Sequence, residues 1–175
     1  VRAMQALGPA DELLYLTRIP PGGSLFDLGS AKSFVDRVFI VVVGGDSMAA
    51  MQAFYRDVLG LAVTDARPSR VEVLNEAWGF DSEHQIPLGI APLPRNFLVE
   101  LDEYPAAAAV RPVRGGELPP GMAIVTFSVA DLAPLRVRAA AGPTALRGAP
   151  YDGGRALLLR GGADELVELV EGPAR

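Results

Sequence analysis

The stretch "FYRDVLGL", Phe54–Leu61, reads as the end of an amphipathic helix. Upstream of it, Met48 and Met51 continue with Phe54, Tyr55 and Val58 at helical spacing, one apolar stripe that can pack on a sheet. Asp46 or Ser47 can accept from the free N–H groups of the first turn, and Gly60 can take the left-handed conformation that ends a helix. Arg56 and Asp57 fall on the solvent side. Before the helix runs the apolar "VFIVVV" (Val38–Val43), with the length of a buried strand and far too short to span a bilayer.

The same order recurs downstream. "MAIVTFSVADLAPLRVRAAAG" (Met122–Gly142) is again an apolar strand, a capping acid at Asp131, a helix with Pro134 in its first turn and a terminating glycine. A second self-similarity is closer in letters: "ADELLYL" (Ala10–Leu16) matches "ADELVEL" (Ala163–Leu169) at five of seven positions. Strand-like segments follow each helix: "LAVTD", "RVEVL" and "FLVEL" in the first unit, "RALLLR" and "ELVELV" in the second. The repeated unit is thus a strand, a helix and about three further strands. We assign residues 35–105 to a first unit, 106–120 to a Pro/Gly-rich linker and 121–175 to a second unit. Residues 1–34 are expected to be the terminal strand of an incomplete upstream unit plus a linker, in a natural protein that extends upstream.

Composition narrows the function. The chain of 175 residues is half hydrophobic, enough for one sizeable core, and its net charge of −5 with no basic run argues against nucleic acid as a partner. With no cysteine there is no disulfide, thiolate nucleophile or Cys-based zinc site, which fits a reducing cytoplasm and a soluble protein. The lone histidine, His84 in "FDSEHQIPLG", supports neither a two-histidine iron site nor a Ser-His-acid arrangement.

A tandem strand–helix–three-strand unit whose first helix closes with "AFYRDVLGL" resembles the glyoxalase, bleomycin-resistance and extradiol-dioxygenase superfamily, also called vicinal oxygen chelate proteins. The resemblance implies an α+β fold in which tandem βαβββ modules form a curved mixed sheet around a cavity. It also implies metal ligands on the first and last strands of each module, positions that fall here on Ile40, Glu100, Ile124 and Glu168. Two of the four are aliphatic. No cofactor is therefore expected, and the alternative is a hard divalent ion such as Mg²⁺ or Mn²⁺ held by Glu100 and Glu168 with several waters.

The leading expectation is a metal-free cavity for a small, largely apolar organic molecule, with lyase or isomerase chemistry through Glu100 or Glu168 as base. The rivals are a non-catalytic binding protein of the resistance type and a divalent-metal enzyme using the same two glutamates. A third possibility is a scaffold module completed by an upstream one. Ile40, Ile124, Trp78, Phe97 and Tyr151 are the expected pocket walls; Arg95 is more simply a surface charge and His84 a loop residue. Superfamily cavities are completed by pairing modules within a chain or across a dimer, so a homodimer and an upstream module both stand as partners.

Overall fold

The computed structural model describes residues 2–20, 31–108, 112–138 and 141–172, so residues 21–30 of the expected first linker and 109–111 of the second lie outside it. Strand β3 (Ile40–Gly45) leads through Ser47, whose hydroxyl accepts from the Ala50 N–H at 3.3 Å, into helix α1 (Met48–Ala53). The helix then widens into a π turn over Phe54–Val58, with the Leu59 N–H donating to the Phe54 carbonyl at 3.2 Å. Gly60 ends it at φ 71°, the left-handed region that a glycine enters without steric cost. Phe54 and Tyr55 are buried and Arg56 and Asp57 exposed, as the helical stripe requires.

Three more strands complete the first sheet: β4 (Arg67–Ser69), β5 (Ile86–Leu93) and β6 (Phe97–Glu103), in spatial order β3-β6-β5-β4. β6 runs parallel to β3 and antiparallel to β5. The second sheet has the same order: β7 (Ile124–Val129), β10 (Leu166–Glu171), β9 (Arg155–Arg160) and β8 (Thr144–Ala145), with β10 parallel to β7. Both are therefore mixed sheets with βαβββ connectivity. A 3₁₀ turn (Ala133–Arg138) stands in the second where α1 stands in the first.

Three segments differ from the sequence expectation. "RVEVL" alternates like a strand but contributes to helix α2 (Glu72–Trp78), which buries Leu74 and Asn75 and stops at Gly79 with φ 67°. "LAVTD" forms no strand of its own; Thr64 alone exchanges hydrogen bonds with Ile90, its N–H donating to the Ile90 carbonyl at 2.9 Å and its Oγ1 accepting from the Ile90 N–H at 3.0 Å. The "IPLGIAPL" of β5, rich in Pro and Gly, is a strand because Pro87 faces Pro68 of β4 and precedes the β6 ladder, which starts at Leu88.

One apolar cluster joins the two sheets: Val43, Met51, Tyr55, Val99 and Leu101 from the first half pack with Leu132, Leu157, Leu159, Val167 and Leu169 from the second. The β9–β10 turn closes the contact. Gly162 lies so near α1 that an added Cβ would sit 2.3 Å from the Ala50 carbonyl oxygen, and the Tyr55 hydroxyl donates to Glu165 Oε1 at 3.0 Å. Burial, and next the Glu165 charge, pushes the Tyr55 hydroxyl far up, so it stays a donor.

The residues before β3 form a separate two-stranded hairpin, β1 (Arg2–Leu7) and β2 (Leu13–Arg18). Its turn copies the β9–β10 turn. The N–H of Gly8 donates to the Glu12 carbonyl at 2.9 Å and that of Gly161 to the Glu165 carbonyl at 2.8 Å, while Asp11 and Asp164 take φ of 61° and 64°. In each turn the glutamate side chain folds back to accept from an alanine N–H at 2.8 Å, Ala10 in one and Ala163 in the other.

Candidate functional site

Side-chain alternation sorts each sheet into two faces. On β6 the odd positions Val99 and Leu101 enter the core against α1, and Phe97 belongs with them; the even positions Leu98, Glu100 and Asp102 take the opposite face. On β10, Val167 and Leu169 enter the core, and Leu166, Glu168 and Val170 take the opposite face. Glu100 and Glu168 are thus equivalent, each on the non-core face of the last strand of its module.

The sequence Glu-Leu-x-Glu, repeated as "ELDE" and "ELVE", extends the equivalence. Glu103 and Glu171, three residues further on, fall on the helix side and cap the segment that follows the first strand of their own module. Glu103 Oε2 accepts from the Met48 N–H at 2.7 Å, and Glu171 Oε1 from the Leu132 N–H at 3.2 Å. Arg155 grips Glu171 through two bonds of 2.6 Å, and these bonds first, then that to the Leu132 N–H, hold its carboxyl below the usual range. The first glutamate of each repeat is free for a site, the second is structural.

Around Glu168 a site takes shape. Thr126, its direct neighbour on β7, donates its hydroxyl to Glu168 Oε2 at 2.8 Å. Tyr151, in the loop before β9, donates to both carboxylate oxygens at 3.1 and 3.2 Å, and this bond raises the Tyr151 hydroxyl above its usual range. The loop is pinned by its own backbone: the Tyr151 N–H donates to the Gly148 carbonyl at 2.9 Å and the Gly154 N–H to the Tyr151 carbonyl at 2.8 Å. Beside Glu168 an open groove of about 200 Å³ is walled by Ala141, Gly142, Thr144, Leu146, Ala156 and Leu158. A larger concavity of about 310 Å³ lies elsewhere, between Arg56 and Pro92, and no carboxylate lines it.

Glu100 has different company. Its direct neighbours are Val42 on β3 and Ile90 on β5, and burial raises its carboxyl. Asp102, on the same face, is 2% exposed; burial, and next the charge of Glu100, pushes its carboxyl up to about 7. Tyr15 of the hairpin is raised by burial first and also by the charges of Asp102 and Glu100. The structure therefore couples Glu100 to Asp102 and Glu168 to Tyr151, not the two glutamates to each other.

Of the other expected residues, Ile40 and Ile124 are half-buried at the start of their strands, two positions before Val42 and Thr126, which pair with the glutamates. Trp78 meets Tyr104 edge-on at 5.0 Å, Phe97 lies beneath Arg95 at 5.7 Å, and exposed His84 stacks on Phe80 at 4.4 Å. Thr126 and Asp102 were not singled out from sequence. Tyr15 could have been, because it stands in "ADELLYL" where Glu168 stands in "ADELVEL".

Solved structures share this architecture. A glyoxalase family protein from Bacillus cereus superposes with a TM-score of 0.57 at 20% identity, over 82% of this chain and 98% of its own. The chain has the glyoxalase fold. A glyoxalase family protein from Enterococcus faecalis (TM-score 0.51, 17% identity, 79% of this chain and 100% of its own) is similar to it in the same way. So is a glyoxalase/dioxygenase from Nostoc punctiforme (0.50, 16%, 83% and 97%). No protein-family model matches the sequence, and no curated protein matches it.

At the four positions where the resemblance implies metal ligands, only Glu100 and Glu168 carry side-chain donors. Ile40 and Ile124 have no donor atom to offer, and no group of three or more His, Cys, Asp or Glu able to hold an ion occurs among the described residues. Nor is any helix among them long and apolar enough to cross a membrane.

Proposed function

We propose that this glyoxalase-fold chain binds a small, largely apolar organic molecule in the groove beside Glu168 and moves a proton on it, as an isomerase or lyase does. The observation that carries the reading is the fixed carboxylate: Glu168 is held by the hydroxyls of Thr126 and Tyr151 at the edge of a groove with aliphatic walls. A carboxylate with its geometry set by two donors needs no reorganisation to take a proton from a carbon acid laid against Ala156 and Leu158. Glu168 is the base, Thr126 and Tyr151 position it, and the enolate formed is reprotonated at a second carbon.

The test is exchange of α-protons of small cyclic ketones in D₂O, followed by NMR. Saturable exchange above the buffer rate, lost in Glu168→Gln and slowed in Tyr151→Phe, is the expected result. Exchange that persists in Glu168→Gln would defeat the assignment. Saturable binding of the ketones without exchange would favour the non-catalytic, resistance-type role, to which half-exposed Leu158 in the groove wall is equally suited.

A further inference from the structure

The first sheet carries a group of acids that the groove at Glu168 does not use. Glu100 and Asp102 share one face of β6, and Gly44 and Leu88 flank Asp102 on the neighbouring strands. Asp102 is 2% exposed and its Oδ1 has no hydrogen-bond partner, so a buried acceptor waits there without a donor. Among the described residues no Lys, Arg or His forms an ion pair with either acid.

Aromatic rings stand close by. The Tyr104 ring lies over Gly44, where an added Cβ would come within 2.1 Å of it, and Trp78 backs that ring edge-on. Tyr15 brings a third ring from the hairpin, close enough to feel both carboxyls. The hairpin pairs with neither four-stranded sheet; a bond from the Gly121 N–H to the Ala10 carbonyl, 2.7 Å, ties its turn down.

We propose that Glu100 and Asp102, beside the Tyr104 ring, form a binding site for a small primary amine in its ammonium form. The ammonium supplies the N–H that Asp102 Oδ1 lacks and a positive charge against two carboxylates, and its carbon skeleton lies against Tyr104 and Tyr15. A neutral amide or alcohol would satisfy the acceptor but bring no positive charge to offset the carboxylates. Because the empty site holds a proton on Asp102 to about pH 7, amine binding releases that proton and tightens as pH rises from 6 to 8.

Calorimetry on the whole chain with phenethylamine, and with 2-phenylethanol as its neutral counterpart, tests this independently of the Glu168 groove. The amine is expected to bind and the alcohol not, with affinity rising from about pH 6 to about pH 8. Asp102→Asn and Glu100→Gln should each weaken binding by about 30-fold, and Glu168→Gln, on the other sheet, should leave it as it is. Equal affinity for the alcohol, no binding of the amine, or unchanged affinity in Asp102→Asn would each overturn the proposal.

Discussion

Replacing Asp102 with asparagine is expected to remove a pH dependence of stability built into the first sheet. Burial and the nearby Glu100 charge move its carboxyl from 3.8 in the unfolded chain to about 7 in the folded one. Between those two values the folded protein holds a proton that the unfolded chain has released, so stability falls as pH rises through this window and levels off above it. A shift of about three units amounts to about 4 kcal/mol, of which about 2–3 kcal/mol falls between about pH 5 and about pH 8. The raised Glu100 carboxyl acts in the same direction. Urea denaturation of wild type and Asp102→Asn at a series of pH values measures the difference directly. Wild type should lose about 2–3 kcal/mol relative to the variant over that range; two stability curves running parallel would refute the assignment of a buried, proton-holding carboxyl.

Two further substitutions probe the frame that carries the candidate sites. Gly162→Ala places a Cβ 2.3 Å from the Ala50 carbonyl oxygen and 2.6 Å from the Met51 Cα, backbone that cannot swing aside, so thermal or urea unfolding should show a loss of about 1–3 kcal/mol. Glu103→Ala leaves the Met48 N–H at the start of α1 without its carboxylate and should cost about 1 kcal/mol by the same measurement.

Local chemistry made much of the fold readable. The strand, Ser47 cap, apolar stripe and Gly60 of the first module all follow from residue types at fixed spacing, and the recurrence of that order predicted the second sheet. "RVEVL" misled because Val71 and Val73 alternate with charged residues, whereas what decides its state is the burial of Leu74 and Asn75 and the stop at Gly79, which only the packed neighbourhood selects. "IPLGIAPL" was hidden by prolines that are harmless because Pro87 precedes the β6 ladder and β4, three residues long, does not reach Pro92. At the candidate site, aligning strand ends located Glu100 and Glu168 on equivalent faces. Tyr151 was among the expected pocket walls, but its bond to Glu168 and that of Thr126 were illegible, since they depend on loop geometry and lateral strand register, neither of which has a sequence period; Asp102, two residues beyond Glu100 on one strand, was legible by alternation.

The two copied turns bear on how a chain built from repeats avoids pairing its parts wrongly, a common failure of such proteins. Both present the same backbone bonds and the same folded-back glutamate, so either could compete during folding for the seat on α1. They differ at one decisive place: where the β9–β10 turn has Gly162, pressed against the Ala50 carbonyl, the hairpin turn has Pro9. A pyrrolidine ring would need to occupy the space of the helix backbone itself. That single residue bars the hairpin from the helix seat, leaving it to the β9–β10 turn.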